Sequence, residues 1–77
     1  MQDIQATLER YVNDRCPTGG FLHAVLSNDL MEACARADMH NQRRLPEIAT
    51  YIYNNLPMIS WGSPEKVDAW LKREEQI

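Results

Sequence analysis

A chain of 77 residues with 44% hydrophobic and 25% charged side chains is one domain, 1–77, near the lower limit for a self-sufficient core. That balance excludes a disordered tail, and the absence of any apolar run near ~20 residues excludes a membrane span. A formal charge of -3 with eight Lys and Arg argues against nucleic acid as the main partner. The N-terminus lacks the basic and apolar regions of a signal peptide, so the expected location is cytoplasmic.

The first helix is predicted over about 2–15, where Ile4, Leu8, Tyr11 and Val12 recur at i, i+4, i+7 and i+8. Cys16-Pro17-Thr18-Gly19-Gly20 turns the chain, with Thr18 as the expected cap of the next helix. The second helix is predicted over about 20–37 and is the most apolar, with Leu22, Val25, Leu26, Leu30 and Ala33 on one stripe. Asp29 falls inside that stripe. An acid on a core face needs donors, so Asp29 is expected to be a structural buried acceptor. Its candidate partners are Arg10, Arg36 or the corner at Trp61-Gly62-Ser63.

Asp38 or Asn41 can cap a third helix over about 41–55, and Pro46 either opens or kinks it. Leu45, Ile48, Ala49, Ile52 and Leu56 share its inner face, and Pro57 ends it. The apolar loop Pro57-Met58-Ile59-Ser60-Trp61-Gly62 must fold back or form an interface, and self-association through Met58, Ile59 and Trp61 is one outcome. Ser63-Pro64-Glu65 starts a fourth helix over about 64–73, with Val67, Trp70 and Leu71 facing inward, before a polar terminus at 72–77. The fold class is therefore all-α: a small compact bundle of three main helices plus a short fourth.

Cys16, His23, Cys34 and His40 lack zinc-knuckle spacing, so no metal or other cofactor is expected. His23 and Asp29 lie about 120° apart on one continuous helix and cannot form a dyad there, and no other acid–base set has a recognised spacing, so no enzyme is expected. The candidate ligand- or partner-binding residues are Arg36, Arg43, Arg44, Tyr51 and Trp61. Arginines suit an anion, and amphipathic rings suit a protein surface or a base.

The segments Gly20-Phe21-Leu22-His23-Ala24-Val25-Leu26-Ser27-Asn28-Asp29-Leu30, Arg36-Ala37-Asp38, Tyr51-Ile52-Tyr53-Asn54 and Trp61-Gly62-Ser63-Pro64-Glu65-Lys66-Val67, with Trp70-Leu71, resemble a group of short proteins encoded by tailed bacteriophages and prophages. The resemblance covers about residues 8–72 and transfers no catalytic or binding residue. It implies a small accessory protein in an infected or lysogenic bacterial host, acting by binding. Two partner classes follow: a host defence protein that the chain inhibits or adapts, or a small anionic nucleotide held by an oligomeric sponge. A phage structural or regulatory role is the remaining alternative.

Overall fold

The computed structural model describes residues 2–72, and within them the chain is all-α. Five helices follow one another: α1 (Gln2–Asp14), α2 (Gly20–Leu26), α3 (Leu30–Arg36), α4 (Met39–Asn55) and α5 (Pro64–Lys72). A single 3-10 turn, Met58–Ser60, lies between α4 and α5. The expected polar terminus falls outside the described residues beyond Lys72.

One core joins α1, α2, α4 and α5. Ile4, Leu8 and Tyr11 from α1 meet Leu22 and Leu26 from α2, Ile48, Ile52 and Leu56 from the end of α4, and Val67 and Trp70 from α5. These are positions picked out by the 3.6-residue period, because a short amphipathic helix gains stability by burying one stripe. Asp38 caps α4 by accepting from the Asn41 N–H at 2.8 Å. Pro46 lies inside α4, where it withholds the N–H that would otherwise satisfy the Gln42 carbonyl. Gly19 rather than Thr18 occupies the N-cap position of α2 and supplies no side-chain oxygen.

The main correction concerns the expected helix over 20–37, which is two helices broken at Ser27-Asn28-Asp29. Asn28 adopts the left-handed conformation at φ 62°. Its N–H donates to the Val25 carbonyl at 3.0 Å, and the Asp29 N–H donates to the Ala24 carbonyl at 2.9 Å. This pair of bonds is a Schellman stop, with Asn in place of the usual Gly. The next residue starts α3 at once: the Asp29 carboxylate accepts from the Glu32 N–H at 3.2 Å.

Asp29 is therefore exposed, and not the buried acceptor expected from the stripe. Ser, Asn and Asp compete for nearby backbone groups and so favour caps over helix interiors. The break also turns Leu30 out of the apolar stripe, leaving it 62% exposed. The cap fixes how much Asp29 contributes. Asp29→Ala should lower stability by about 1 kcal/mol, the usual worth of an N-cap and less than a buried acceptor would give. Asn28→Gly should be neutral or stabilising, whereas Asn28→Val should cost about 1–2 kcal/mol because a β-branched residue resists the left-handed region. Urea denaturation of the three variants checks the assignment.

Candidate functional site

The corner between α4 and α5 combines tightly bonded backbone with exposed apolar side chains. Pro57 ends α4, and the following 3-10 turn closes with the Ser60 N–H donating to the Pro57 carbonyl at 2.9 Å. The Ser60 hydroxyl donates to the same carbonyl at 2.6 Å. Ser60 is fully buried, and its own carbonyl accepts the Tyr11 hydroxyl at 2.7 Å. The Tyr11 backbone carbonyl, near the end of α1, accepts the Trp70 indole N–H at 2.9 Å. The Arg15 guanidinium lies 3.6 Å from the centroid of the Trp70 ring, which adds a cation–π contact.

A second tie comes from Gly62, whose N–H donates to the Leu26 carbonyl at 2.7 Å. The corner is thus fastened to α2 through a backbone carbonyl, and not through Asp29, the acceptor the sequence suggested. Gly62 has φ 121°, a conformation that L side chains rarely adopt. Ser63 then caps α5 by accepting from the Lys66 N–H at 3.1 Å.

This scaffold holds Met58 and Ile59 outward, 67% and 53% exposed. A broad hollow beside them is lined by Ile59, Glu65, Lys66, Ala69 and Trp70. On its other side the corner presents Trp61, whose indole N–H donates to the Leu56 carbonyl at 3.3 Å. The Trp61 and Tyr53 ring centroids are 5.9 Å apart. The two rings border a groove of about 370 Å³, completed by Val25, Asn28, Ala49, Thr50 and Ile52.

The structure separates the residues expected to bind. Trp61 lies on the groove, while Tyr51 is half-buried against the core. Arg36 forms an ion pair with Glu32 one turn earlier on α3 and lies across Gly20, where any Cβ would sit 2.8 Å from its Nη1. Arg44 donates to the Asn41 side chain at 3.0 Å, and Arg43 is exposed on the first half of α4. None of the three arginines lines the aromatic groove. Arg36 instead lines a polar cleft of about 290 Å³ with Gly20, His23, Ala24, Ser27, Asp29, Glu32 and Pro64. The break in the predicted second helix is what brings His23 and Asp29 to one cleft. In that cleft Asp29 is committed to its cap and Glu32 to its arginine. Among the described residues no group of three His, Cys, Asp or Glu could hold a metal ion.

Met58, Ile59 and the apolar loop around them were flagged by apolar content alone, but Tyr53 was missed as a site residue. It sits at the edge of the α4 stripe, and only the path of the 57–63 loop places Trp61 against it. Comparison of the chain with protein-family models, with curated proteins and with solved structures returned no match.

Two predictions follow from the corner. Burial pushes the Tyr11 hydroxyl from its ordinary value of 10 up to about 12, with the Arg15 charge pulling the other way. The neutral phenol is thus favoured in the folded state. Its contribution is complete below pH 10 and is lost as pH rises from about 10 to 12, amounting to roughly 2–3 kcal/mol. The difference in stability between the parent chain and Tyr11→Phe, measured from pH 8 upward, should shrink across that interval. Gly62→Ala should cost about 1–3 kcal/mol, read by chemical denaturation, because alanine is strained at this φ.

Proposed function

We propose that the chain is a non-catalytic binding protein, a phage or prophage accessory protein that acts in the bacterial cytoplasm as an inhibitor or adaptor of a host protein. Its contact point is the Met58–Ile59 turn. The observation that carries this reading is a pair of adjacent, exposed apolar side chains on backbone fastened by the Tyr11, Ser60 and Gly62 hydrogen bonds. Exposed apolar groups on a rigid support lose little conformational freedom on binding, so the area they bury converts efficiently into affinity. Glu65 and Lys66 at the edge of the adjoining hollow supply a polar rim.

Sequestration of a nucleotide is the weaker reading. The aromatic groove carries no cation, Arg36 is paired with Glu32, and neither Arg43 nor Arg44 lines that groove. A phosphate needs convergent, available donors.

Affinity capture from host lysate tests the proposal. A host protein retained by the parent chain should be lost with Met58→Asp/Ile59→Asp and kept with Arg36→Ala/Arg43→Ala/Arg44→Ala, both variants melting close to the parent. Cyclic and linear nucleotides should leave the melting temperature unchanged. Retention by the turn variant, or a nucleotide-induced rise in melting temperature, would overturn it.

A further inference from the structure

We propose that the polar cleft where α2, α3 and the start of α5 meet is a binding site for a primary ammonium group carried on a short alkyl stem. The cleft has a volume of about 290 Å³, and Ser27, Asp29, Glu32 and Arg36 are among the residues that line it. Ser27 is what marks it as a site. That residue is only 5% exposed, and its hydroxyl has no hydrogen-bond partner among the described residues. Ser60, also buried, has one in the Pro57 carbonyl. A hydroxyl withdrawn from water without a partner destabilises the fold, so alanine would serve the core better at position 27.

The lining selects the sign of the charge. Asp29 and Glu32 set two carboxylates against the single guanidinium of Arg36, so the cleft is negative on balance, as is the whole chain. Each acid uses one oxygen within the chain: Asp29 Oδ1 accepts from the Glu32 N–H, and Glu32 Oε2 pairs with Arg36. Asp29 Oδ2 and Glu32 Oε1 are left over. With Ser27 Oγ they make three acceptors, the number of N–H groups on a primary ammonium.

Other cations match the lining less well. No aromatic ring lines the cleft to cage a quaternary ammonium or to stack on a guanidinium. Among the described residues, no three His, Cys, Asp or Glu are grouped to hold a metal ion. Ala24 and Pro64 give the alkyl stem an apolar wall. A free alkylamine and a lysine side chain of another protein share this chemistry.

Titration of the full chain with n-butylamine at neutral pH, followed by NMR of the backbone amides, tests the proposal. Saturable shifts are expected at Ser27, Asp29 and Glu32, with none from butyrate or tetramethylammonium at the same concentrations. Ser27→Ala and Asp29→Asn, the second of which retains a capping side chain, should each weaken the amine at least about tenfold. Ser27→Ala should also raise the melting temperature of the free chain, which loss of a structurally bonded hydroxyl would lower. Met58→Asp/Ile59→Asp should leave amine binding unchanged, which separates this cleft from the contact turn. Tighter binding of N-acetyl-lysine methylamide than of butylamine assigns the site to a partner's lysine, and the reverse order assigns it to a free amine. Absence of saturable shifts through the millimolar range, equal shifts from tetramethylammonium, or unchanged affinity in Ser27→Ala would overturn it.

Discussion

Tyr11 is bonded at both ends, and the rest of the structure depends on it. Its hydroxyl is held by the Ser60 carbonyl and its backbone carbonyl by the Trp70 indole, with the ring itself buried between them. The C-terminal turn of α1, the corner and α5 become one unit through a single residue. A buried polar group left without a partner costs about 1–3 kcal/mol. Removing any member of this chain therefore strands its neighbour as well. That is a large share of the few kcal/mol that so short a chain has in hand.

The second dependency runs through the Leu26 carbonyl. In an uninterrupted helix that oxygen would accept the N–H of Leu30, four residues on. The stop at Asn28 withdraws that donor, and the carbonyl takes the Gly62 N–H instead. The helix break and the corner are thus parts of one arrangement, although Asn28 and Gly62 are 34 positions apart in the chain. This coupling joins the Asn28-Asp29-Leu30 and Trp61-Gly62-Ser63 segments of the chain physically. One provides a free acceptor at a helix end, and the other provides a backbone donor in a conformation suited to glycine.

The sequence made legible whatever depended on period. The stripes of α1, α4 and α5 were readable apart from Ala49, which is exposed and not on the inner face of α4, and so were the proline that ends α4 and the Ser63-Pro64 start of α5. The break at Ser27-Asn28-Asp29 was not, because the spacing of Leu26, Leu30 and Ala33 in the sequence continues the apolar stripe across it, and spacing alone carries no sign of a chain reversal. The signal lay in the capping pattern. Asp29 followed three residues later by Glu32 is a helix start, and Asn28 before it is a residue that tolerates the left-handed stop. Within the site, Trp61 was picked out as an aromatic ring in an apolar loop, and the structure places it half-buried on the groove. Tyr53 was missed because its pairing depends on the course of an irregular loop, which no local pattern encodes. The arginines were over-read: Glu32 one turn before Arg36 was a sufficient partner.

The misplaced acid in the apolar stripe explains how a short chain comes to have both a firm core and apolar surface to spare. If the stripe had formed one helix, Leu30 would have followed Leu26 along the core face and the Leu26 carbonyl would have been consumed within the helix. Breaking it at 27–29 frees a carbonyl to anchor the corner and at the same time turns Leu30 outward beside Ala33 and Leu45. The first effect fixes the backbone under Met58 and Ile59. The second opens a hollow lined in part by Leu30, Ala33, Leu45 and Ala49. Stability of the corner and exposure of apolar surface thus arise from the same three residues, so substitutions at 27–29 act on the anchoring of the corner and on the exposed surface together.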